Sequence, residues 1–186
     1  MEDAHKQPDQ EHLKELILSA KDGDKGAFEE VYSTYYIPLY RYILTRLKSK
    51  QESEDMTQAV FIKIWNALPS WNESHSSPLS FFFTVARNTM IDYFRKNSRR
   101  KEIVSDERVA KESENHTTDA SNARELKEVL TQAISELTED QQEIVNLIYT
   151  HDRTYPEIAE ITGKNEDAIR QTHSRAIKKL REIYKI

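Results

Sequence analysis

The spacing of apolar residues predicts helices along most of the chain. From about residue 12 to residue 98, apolar side chains recur every three or four positions, which is the period of an amphipathic helix. Polar breaks divide this stretch into four predicted helices, with apolar faces over 12–21, 28–47, 56–68 and 78–98. Pro38 lies inside the second helix. Because proline removes one internal hydrogen bond, we expect it to kink or split that helix near Ile37.

The same period returns after a polar stretch, so the chain divides into two helical parts. Residues 102–122 contain six acidic and two basic side chains and no sustained apolar period, which predicts a flexible acidic linker. Beyond it, helices are predicted over 123–136, 139–149, 155–162 and 166–184. The predicted fold is therefore all-α, with two small helical domains at 1–101 and 123–186. Residues 1–11 are expected to be disordered.

Composition excludes several classes of protein. The 186 residues include only three glycines and five prolines, too few turn residues for many short strands, and no cysteine for disulfides or thiolate metal sites. No glycine-rich phosphate loop occurs and no two histidines lie four residues apart, so no enzyme, cofactor or metal site is expected. Without a signal peptide or an apolar run of about 18 residues, the chain is expected to be cytoplasmic and not inserted in a membrane.

Charge is unevenly distributed, which changes the meaning of a net charge of −5. Residues 95–101 (RKNSRRK) hold five cations and no anion, and residues 166–185 hold six cations against three anions. Exposed charges are screened within about 10 Å at moderate salt, so each basic patch acts locally whatever the total charge. Two such patches favour a nucleic-acid partner. The alternative, on charge alone, is that the cations only keep the surface soluble.

Residues 154–170 (TYPEIAEITGKNEDAIR) have the pattern of a helix-turn-helix. Thr154 and Glu157 form a capping box at the start of one helix, and Gly163 can take the positive φ that ends it. Asn165 then caps a second helix, which can enter the major groove of DNA. There, arginine and glutamine can read base edges and lysine can contact phosphates. The candidate DNA-binding residues of this helix are Arg170, Gln171, Ser174, Arg175, Lys178 and Lys179.

Four segments resemble a known protein family. Residues 27–32 (AFEEVY), 54–65 (EDMTQAVFIKIW) and 85–95 (VARNTMIDYFR) are similar to region 2 of the extracytoplasmic-function (ECF) RNA polymerase sigma factors. The stretch that starts with 137–144 (LTEDQQEI) and runs to Leu180 resembles region 4. The resemblance implies a factor that binds core RNA polymerase, recognises the −35 and −10 promoter elements and promotes DNA melting.

The resemblance also assigns roles within region 2. Asp55 and Gln58 match positions that dock on core polymerase, although Ala59 replaces the glutamate that is usual in the family. Asn88 matches the position that captures a flipped base of the −10 element, with the loop 71–77 as the other wall of its pocket. Aromatic and cationic neighbours would hold the melted strand by stacking and by phosphate contacts. The −10 residues are Phe81, Arg87, Asn88, Arg95, Lys96, Arg99, Arg100 and Lys101.

In region 4 the resemblance assigns the candidate DNA-binding residues of the second helix to the −35 element. The family usually has serine at Gln171 and arginine at Thr172 and Ile177, so we expect a different −35 sequence. The resemblance further implies an anti-sigma factor as a partner, often anchored in a membrane. It also implies that the acidic linker threads toward the RNA exit path of the polymerase.

Two other interpretations remain open at the level of sequence. One is a stand-alone helix-turn-helix regulator that binds duplex operator DNA without polymerase, and the other is a helical interaction protein with no DNA role. A structural interpretation also competes at the aromatic residues. We expect Phe82 to be the buried member of the run 81–83, and we expect Trp65 and the tyrosines of the second helix to be buried in the core.

Overall fold

A computed structural model of the chain describes residues 10–72, 77–103 and 129–184, with the backbone alone at 10, 98–103 and 184. These residues form helices and no strand, which confirms the all-α prediction. The chain divides into two compact units between residues 111 and 112. Most of the predicted linker lies outside the described residues. So do residues 1–9 of the segment expected to be disordered, whereas Gln10 and Glu11 belong to the first helix.

The described part of the N-terminal unit contains four helices, and local caps begin the second and the third. Asp24 Oδ1 accepts hydrogen bonds from the backbone N–H groups of Gly26 and Ala27, at 2.8 and 3.2 Å, and so begins the second helix. Ser49 caps the third in the same way. The elements are α1 (Gln10–Lys21), α2 (Lys25–Leu47), α3 (Lys50–Ala67), a 3-10 turn (Leu68–Ser70) and α4 (Pro78–Ile103).

Pro38 does not split α2, which runs unbroken from Lys25 to Leu47. Of the two predicted effects, the split is therefore wrong and the kink stays a prediction. A proline inside a helix costs about 3 kcal/mol. On either side of it, Tyr35, Leu39 and Tyr42 are almost fully buried against the other helices. Each such side chain contributes about 2 kcal/mol by leaving water, so tertiary packing outweighs the local penalty.

The core of the N-terminal unit lies between its four helices and contains one of the three consecutive phenylalanines at its centre. Phe82 is fully buried, as predicted, and its ring meets Tyr35 edge-on at 5.7 Å. Phe83 is also buried, against Tyr42, whereas Phe81 is only half-buried. The fully buried large side chains of this unit are Leu13, Ile17, Leu39, Tyr42, Ile43, Ile64, Leu68, Phe82 and Met90.

Helix α4 ends at Ile103 and not near Ser98, where it was predicted to end. The intervening residues, Arg99 to Lys101, are good helix formers and no glycine or proline follows them to stop the helix. Cations are also favoured in a last turn, where they face the negative end of the helix dipole. The whole basic run 95–101 is therefore carried on the backbone of one helix.

The C-terminal unit contains the helix-turn-helix. Thr154 and Glu157 form the predicted capping box, Gly163 ends the first helix with φ 71°, and the Asn165 side chain accepts the N–H of Ala168 at 2.7 Å. A second capping box, Thr138 with Gln141, starts the preceding helix. The elements are α5 (described over 129–135), α6 (Glu139–Tyr149), α7 (Tyr155–Thr162) and α8 (Glu166–Tyr184).

The core of this unit fixes the orientation of α8. Ile158 and Ile161 of α7 pack with Ile169 at the start of α8, and all three are buried. Further along, Ala176 is fully buried in a cluster with Leu137, Val145 and Leu180. A small residue at this position lets two helices approach closely, so the opposite face of α8 is the one left for a partner.

Candidate polymerase and DNA interfaces

Helix α3 presents a polar face on the side away from the core. Its buried side carries Met56, Val60 and Ile64, so the side chains of Asp55 and Gln58 are exposed one turn apart. Ile62 continues this surface and is 64% exposed, the most exposed of the large apolar side chains in the described residues. A carboxylate, an amide and an apolar side chain on one exposed face suit docking on a protein partner.

Helix α4 presents the second candidate surface. Phe81 and Asn88 lie seven residues apart, two turns along one face, and Asn88 is exposed. Phe81 packs against the buried Trp71, with ring centroids 6.5 Å apart. Ile91 and Phe94 are exposed further along α4, at 41% and 40%. Neither residue was assigned a role from the sequence. Phe94 is aromatic, and an aromatic side chain exposed beside basic residues can stack on bases.

The basic residues of α4 differ in what the structure places beside them. Arg95 is exposed and its Nη2 donates to Oδ1 of Asp92 at 2.9 Å, within the same helix. Lys96 is exposed and Arg87 is half-buried. The side chains of Arg99, Arg100 and Lys101 lie outside the described residues.

The first residue of the predicted pocket loop, Trp71, is hydrogen-bonded to α1. Lys21 Nζ donates a hydrogen bond to the carbonyl oxygen of Trp71 at 2.9 Å, across 50 residues of sequence. Trp71 itself is 4% exposed. The next residues, 73–76, lie outside the described part of the chain, so the predicted pocket wall is described only at its two ends.

A side-chain hydrogen bond connects α4 to α3. The Tyr93 hydroxyl donates to Oε1 of Glu52 at 2.9 Å. Burial, followed by this bond to a carboxylate, raises the pKa of Tyr93 above its usual value. The phenol therefore stays protonated near neutral pH and keeps the bond.

The candidate DNA-binding residues of α8 and its core residues lie on different faces of the helix. Ile169 and Ala176 face the core, whereas Arg170, Gln171, Ser174, Arg175 and Lys178 are all exposed. Lys179 is different, because its Nζ donates to the carbonyl oxygen of Glu136 at the end of α5. The structure therefore places five of the six predicted −35 residues on one open face and gives the sixth a partner inside the unit.

A cluster around His173 was not identified from the sequence. Its Nδ1 lies 2.8 Å from the Tyr155 hydroxyl and its Nε2 lies 3.2 Å from the Tyr149 hydroxyl. The Tyr155 ring also lies beneath Arg170, whose Cζ is 5.0 Å from the ring centroid. No spacing rule in the sequence brings these residues together, because they come from three different helices.

The prediction that Trp65 and the tyrosines of α2 lie in the core is confirmed for Tyr35 and Tyr42, which are buried, and is wrong for four others. Tyr32 is 37% exposed, and Tyr36, Tyr40 and Trp65 are half-buried. They surround Phe61 and Phe28 and do not lie in the core. Periodicity predicts which side of a helix is apolar, but only the packing of the other helices shows whether that side is covered.

The described residues contain no group of three or more histidine, cysteine or acidic side chains that could hold a metal ion. Among the helices of the described ranges, none is both long and apolar enough to cross a lipid bilayer.

Comparison with known proteins gives the family. Residues 31–100 match Sigma-70 region 2 and residues 127–180 match Sigma-70, region 4. The chain is 32% identical to the ECF RNA polymerase sigma factor SigM of Bacillus subtilis (strain 168), over 84% of this chain and 94% of that protein. The two helix sets and their order are shared with solved structures. One is CnrH in complex with the cytosolic domain of CnrY, with a TM-score of 0.69 and 18% identity over 95% of this chain and 98% of that chain.

Another is the sigma factor RpoE in complex with the anti-sigma factor NepR from Bartonella quintana, with a TM-score of 0.65 and 23% identity. That match covers 86% of this chain and 97% of the RpoE chain. At these identities the two structures establish the fold, and the family rests on the regional matches and on the SigM relative. The chain belongs to the ECF sigma factors of the sigma-70 family.

Proposed function

We propose that the chain binds core RNA polymerase through α3 and places α4 and α8 on two elements of one promoter. Promoter recognition together with RNA polymerase is the activity of its family. The assignment of polymerase binding to α3 and of promoter binding to α4 and α8 rests on the exposure of the candidate residues. Most of the described residues proposed to bind a partner on α3, α4 and α8 are exposed, although Phe81, Arg87 and Lys179 are half-buried. Their neighbours on the same helices form the cores.

The N-terminal unit, with the proposed bounds 1–101, is assigned to the −10 element. Melted DNA offers unstacked bases, which proteins hold with aromatic platforms, amides and cations. Asn88 supplies an exposed amide, and Phe81 supplies an aromatic edge beside Trp71. Arg95 and Lys96 are exposed two turns beyond Asn88, where they suit phosphates. Arg87, Arg99, Arg100 and Lys101 complete the proposed set.

The C-terminal unit, with the proposed bounds 123–186, is assigned to the −35 element as duplex DNA. A recognition helix reads base edges with side chains near its N-terminal end. Arg170, Gln171, Ser174 and Arg175 occupy the first half of the exposed face of α8, and Lys178 follows one turn later. We therefore assign the first four to bases and Lys178 to a phosphate. Lys179 can join the phosphate contacts only by releasing the Glu136 carbonyl.

A stand-alone operator-binding regulator fits these surfaces less well. Such a protein binds its operator through the helix-turn-helix alone. Its function would not explain an exposed Asp55 and Gln58 pair or an exposed Asn88 beside a basic run. The family match covers both regions and gives the alternative no support.

An anti-sigma factor is the proposed regulatory partner. The fold of this chain is shared with RpoE, whose structure was solved in complex with the anti-sigma factor NepR. A partner that covered the exposed face of α3 would block docking on the polymerase. We further propose that the chain acts in the cytoplasm, that it has no catalytic activity of its own, and that the acidic segment 102–122 lies along the RNA exit path.

A pull-down with core RNA polymerase tests the docking assignment. The unmodified chain is expected to bind core enzyme. The double variant Asp55→Asn with Gln58→Ala is expected to bind at least about tenfold more weakly, because it loses the negative charge at one position and the amide at the other. Glu15→Gln is the matched control, since it removes an exposed carboxylate from α1. Equal binding by the double variant and the control would refute the assignment to α3, and a chain that binds duplex DNA but no core enzyme would favour the stand-alone regulator.

A further inference from the structure

The recognition helix contains a histidine that joins three helices of its unit. His173 of α8 lies between Tyr149, the last residue of α6, and Tyr155, the first residue of α7. Its two ring nitrogens are 3.2 and 2.8 Å from the respective hydroxyl oxygens. Both phenol rings are tilted against the imidazole, with centroids 5.7 and 5.8 Å away. His173 therefore helps to fix the position of the Tyr155 ring through the hydroxyl group.

The protonation state of this histidine suits the two contacts. Burial lowers the pKa of His173 below its ordinary value of 6.5, so the ring is neutral near pH 7. A neutral imidazole has one donor and one acceptor nitrogen. One tyrosine hydroxyl therefore donates to the ring and the other accepts from it, and both nitrogens are used.

The upper face of the Tyr155 ring carries a candidate base reader. The guanidinium carbon of Arg170 lies 5.0 Å from the ring centroid, within the range of a cation–π contact. Arg170 Nη2 also donates to Oε2 of Glu166 at 3.3 Å, one turn earlier on α8. The Arg170 side chain remains 58% exposed. A long and exposed side chain is thus held by a ring and a carboxylate while its remaining donors stay open to a partner.

We propose that Tyr155 is a positioning residue for promoter selectivity, which holds the Arg170 guanidinium in the orientation that reads a −35 base. The proposal rests on the assignment of α8 to the −35 element. An unrestrained arginine loses side-chain entropy when it binds, which costs up to about 2 kcal/mol. An arginine already held on a ring has less of this entropy left to lose, so a base edge that matches the held orientation is bound at a lower cost. Tyr155 therefore contributes to discrimination between bases without contacting them.

The test is a selection of −35 sequences by the full chain assembled with core polymerase, using promoters randomised in that element. Arg170→Ala is expected to relax the preference at one or two positions. Tyr155→Leu removes the ring and is expected to relax the same positions by about fivefold. Tyr155→Phe keeps the ring and loses only the bond to His173, so it should restore most of the preference. Tyr149→Phe removes the other hydroxyl and is the matched control, with an unchanged preference.

The double variant of Arg170→Ala with Tyr155→Leu separates positioning from general stability. If Tyr155 acts through Arg170, the double variant is no less selective than Arg170→Ala alone. Additive losses, or a uniform loss by Tyr155→Leu across all −35 sequences, would overturn the proposal. If Tyr155→Leu does not fold, the test is the comparison of Tyr155→Phe with Tyr149→Phe. Tyr155→Phe is expected to relax the −35 preference about twofold, and Tyr149→Phe is expected to leave it unchanged. Equal −35 preferences in these two variants would refute the proposal.

The outcomes also separate this inference from the proposed function. If the unmodified holoenzyme selects a −35 sequence and the Tyr155 variants select the same one equally well, only the positioning role is wrong. If the unmodified holoenzyme shows no −35 preference, the assignment of α8 is wrong as well.

Discussion

Arg153 and Glu157 form an ion pair at the start of the helix-turn-helix. Nη1 of Arg153 donates to Oε1 of Glu157 at 2.8 Å, and the Arg153 side chain is only 5% exposed. The same carboxylate accepts the N–H and the hydroxyl of Thr154 through its other oxygen, each at 2.8 Å. The Nε of Arg153 donates to the carbonyl of His151 at 2.6 Å. One carboxylate and one guanidinium thus connect the end of α6 to the start of α7.

Replacement of Arg153 by methionine is therefore expected to destabilise the C-terminal unit. The change leaves the Glu157 carboxylate without its cation, although the Glu157 side chain is only 16% exposed. Breaking such a pair costs about 3 kcal/mol of unfolding free energy. Urea unfolding followed by circular dichroism should show an earlier transition. Arg181→Met is the matched control, because Arg181 is exposed on α8, and its effect should stay within about 0.5 kcal/mol. Equal midpoints for the two variants would contradict a structural role for the pair.

The helix-turn-helix could be predicted closely from the sequence because its signals are local. Thr154, Gly163 and Asn165 each act within three or four residues, and the observed bounds of α7 and α8 agree with the predicted ones. Where no local signal exists the prediction failed. Nothing between Ser98 and Ile103 marks a helix end, and α4 continues.

Tertiary packing explains the remaining differences. The penalty of Pro38 is local, but the burial of Tyr35 and Tyr42 depends on helices elsewhere in the chain. In the same way, the contact between Tyr155 and His173 joins residues 18 positions apart across a turn. Spacing within one helix contains no information about such a pair, so the candidate reader Arg170 could be predicted while the ring beneath it could not.

Asn88→Ala is expected to slow promoter melting. The Asn88 amide is exposed on α4, where it can form hydrogen bonds with a flipped base. Loss of these hydrogen bonds should reduce the rate of open-complex formation by about tenfold or more. Permanganate footprinting of unpaired thymines over time measures this rate. Binding to core polymerase should be unchanged. Asn66→Ala, an exposed asparagine on α3, is the matched control, and a normal melting rate in Asn88→Ala would count against the −10 assignment.

Arg175 and Lys178 are expected to differ in the kind of DNA contact they make. If Arg175 reads a base, Arg175→Ala should relax the −35 preference at one position by about 1–3 kcal/mol. Lys178→Ala should weaken binding to all −35 sequences alike and reduce the dependence of the affinity on salt by about one counterion. Affinities of the holoenzyme for single-base promoter variants at two salt concentrations distinguish the two. A uniform loss for Arg175→Ala would make it a phosphate contact.

Acidification is expected to destabilise the C-terminal unit partly through His173. Burial lowers the pKa of this residue in the folded chain, so the unfolded chain binds a proton at higher pH than the folded chain does. The contribution is fully present above about pH 6.5 and is lost as the pH falls from there through the folded pKa. The imidazole directly contacts the hydroxyl groups of Tyr149 and Tyr155.

The comparison that isolates this effect is between the unmodified chain and His173→Gln, since glutamine can also donate and accept. Thermal unfolding at pH 7.5 and pH 5.5 should show a larger fall in melting temperature for the unmodified chain. Titration of the His173 ring protons by NMR should give a midpoint below 6.5. A midpoint above 6.5, or equal falls in the two proteins, would show that the histidine is not desolvated in the folded state.

The most direct measurement is run-off transcription by core RNA polymerase with and without the purified chain. The templates are those that the holoenzyme itself selects, with the −35 and the −10 elements scrambled separately. We expect the chain to make initiation start at one defined site, and we expect scrambling of either element to remove this specific transcript. Initiation no more selective than that of core polymerase alone would contradict the central claim that the exposed faces of α4 and α8 recognise two elements of one promoter.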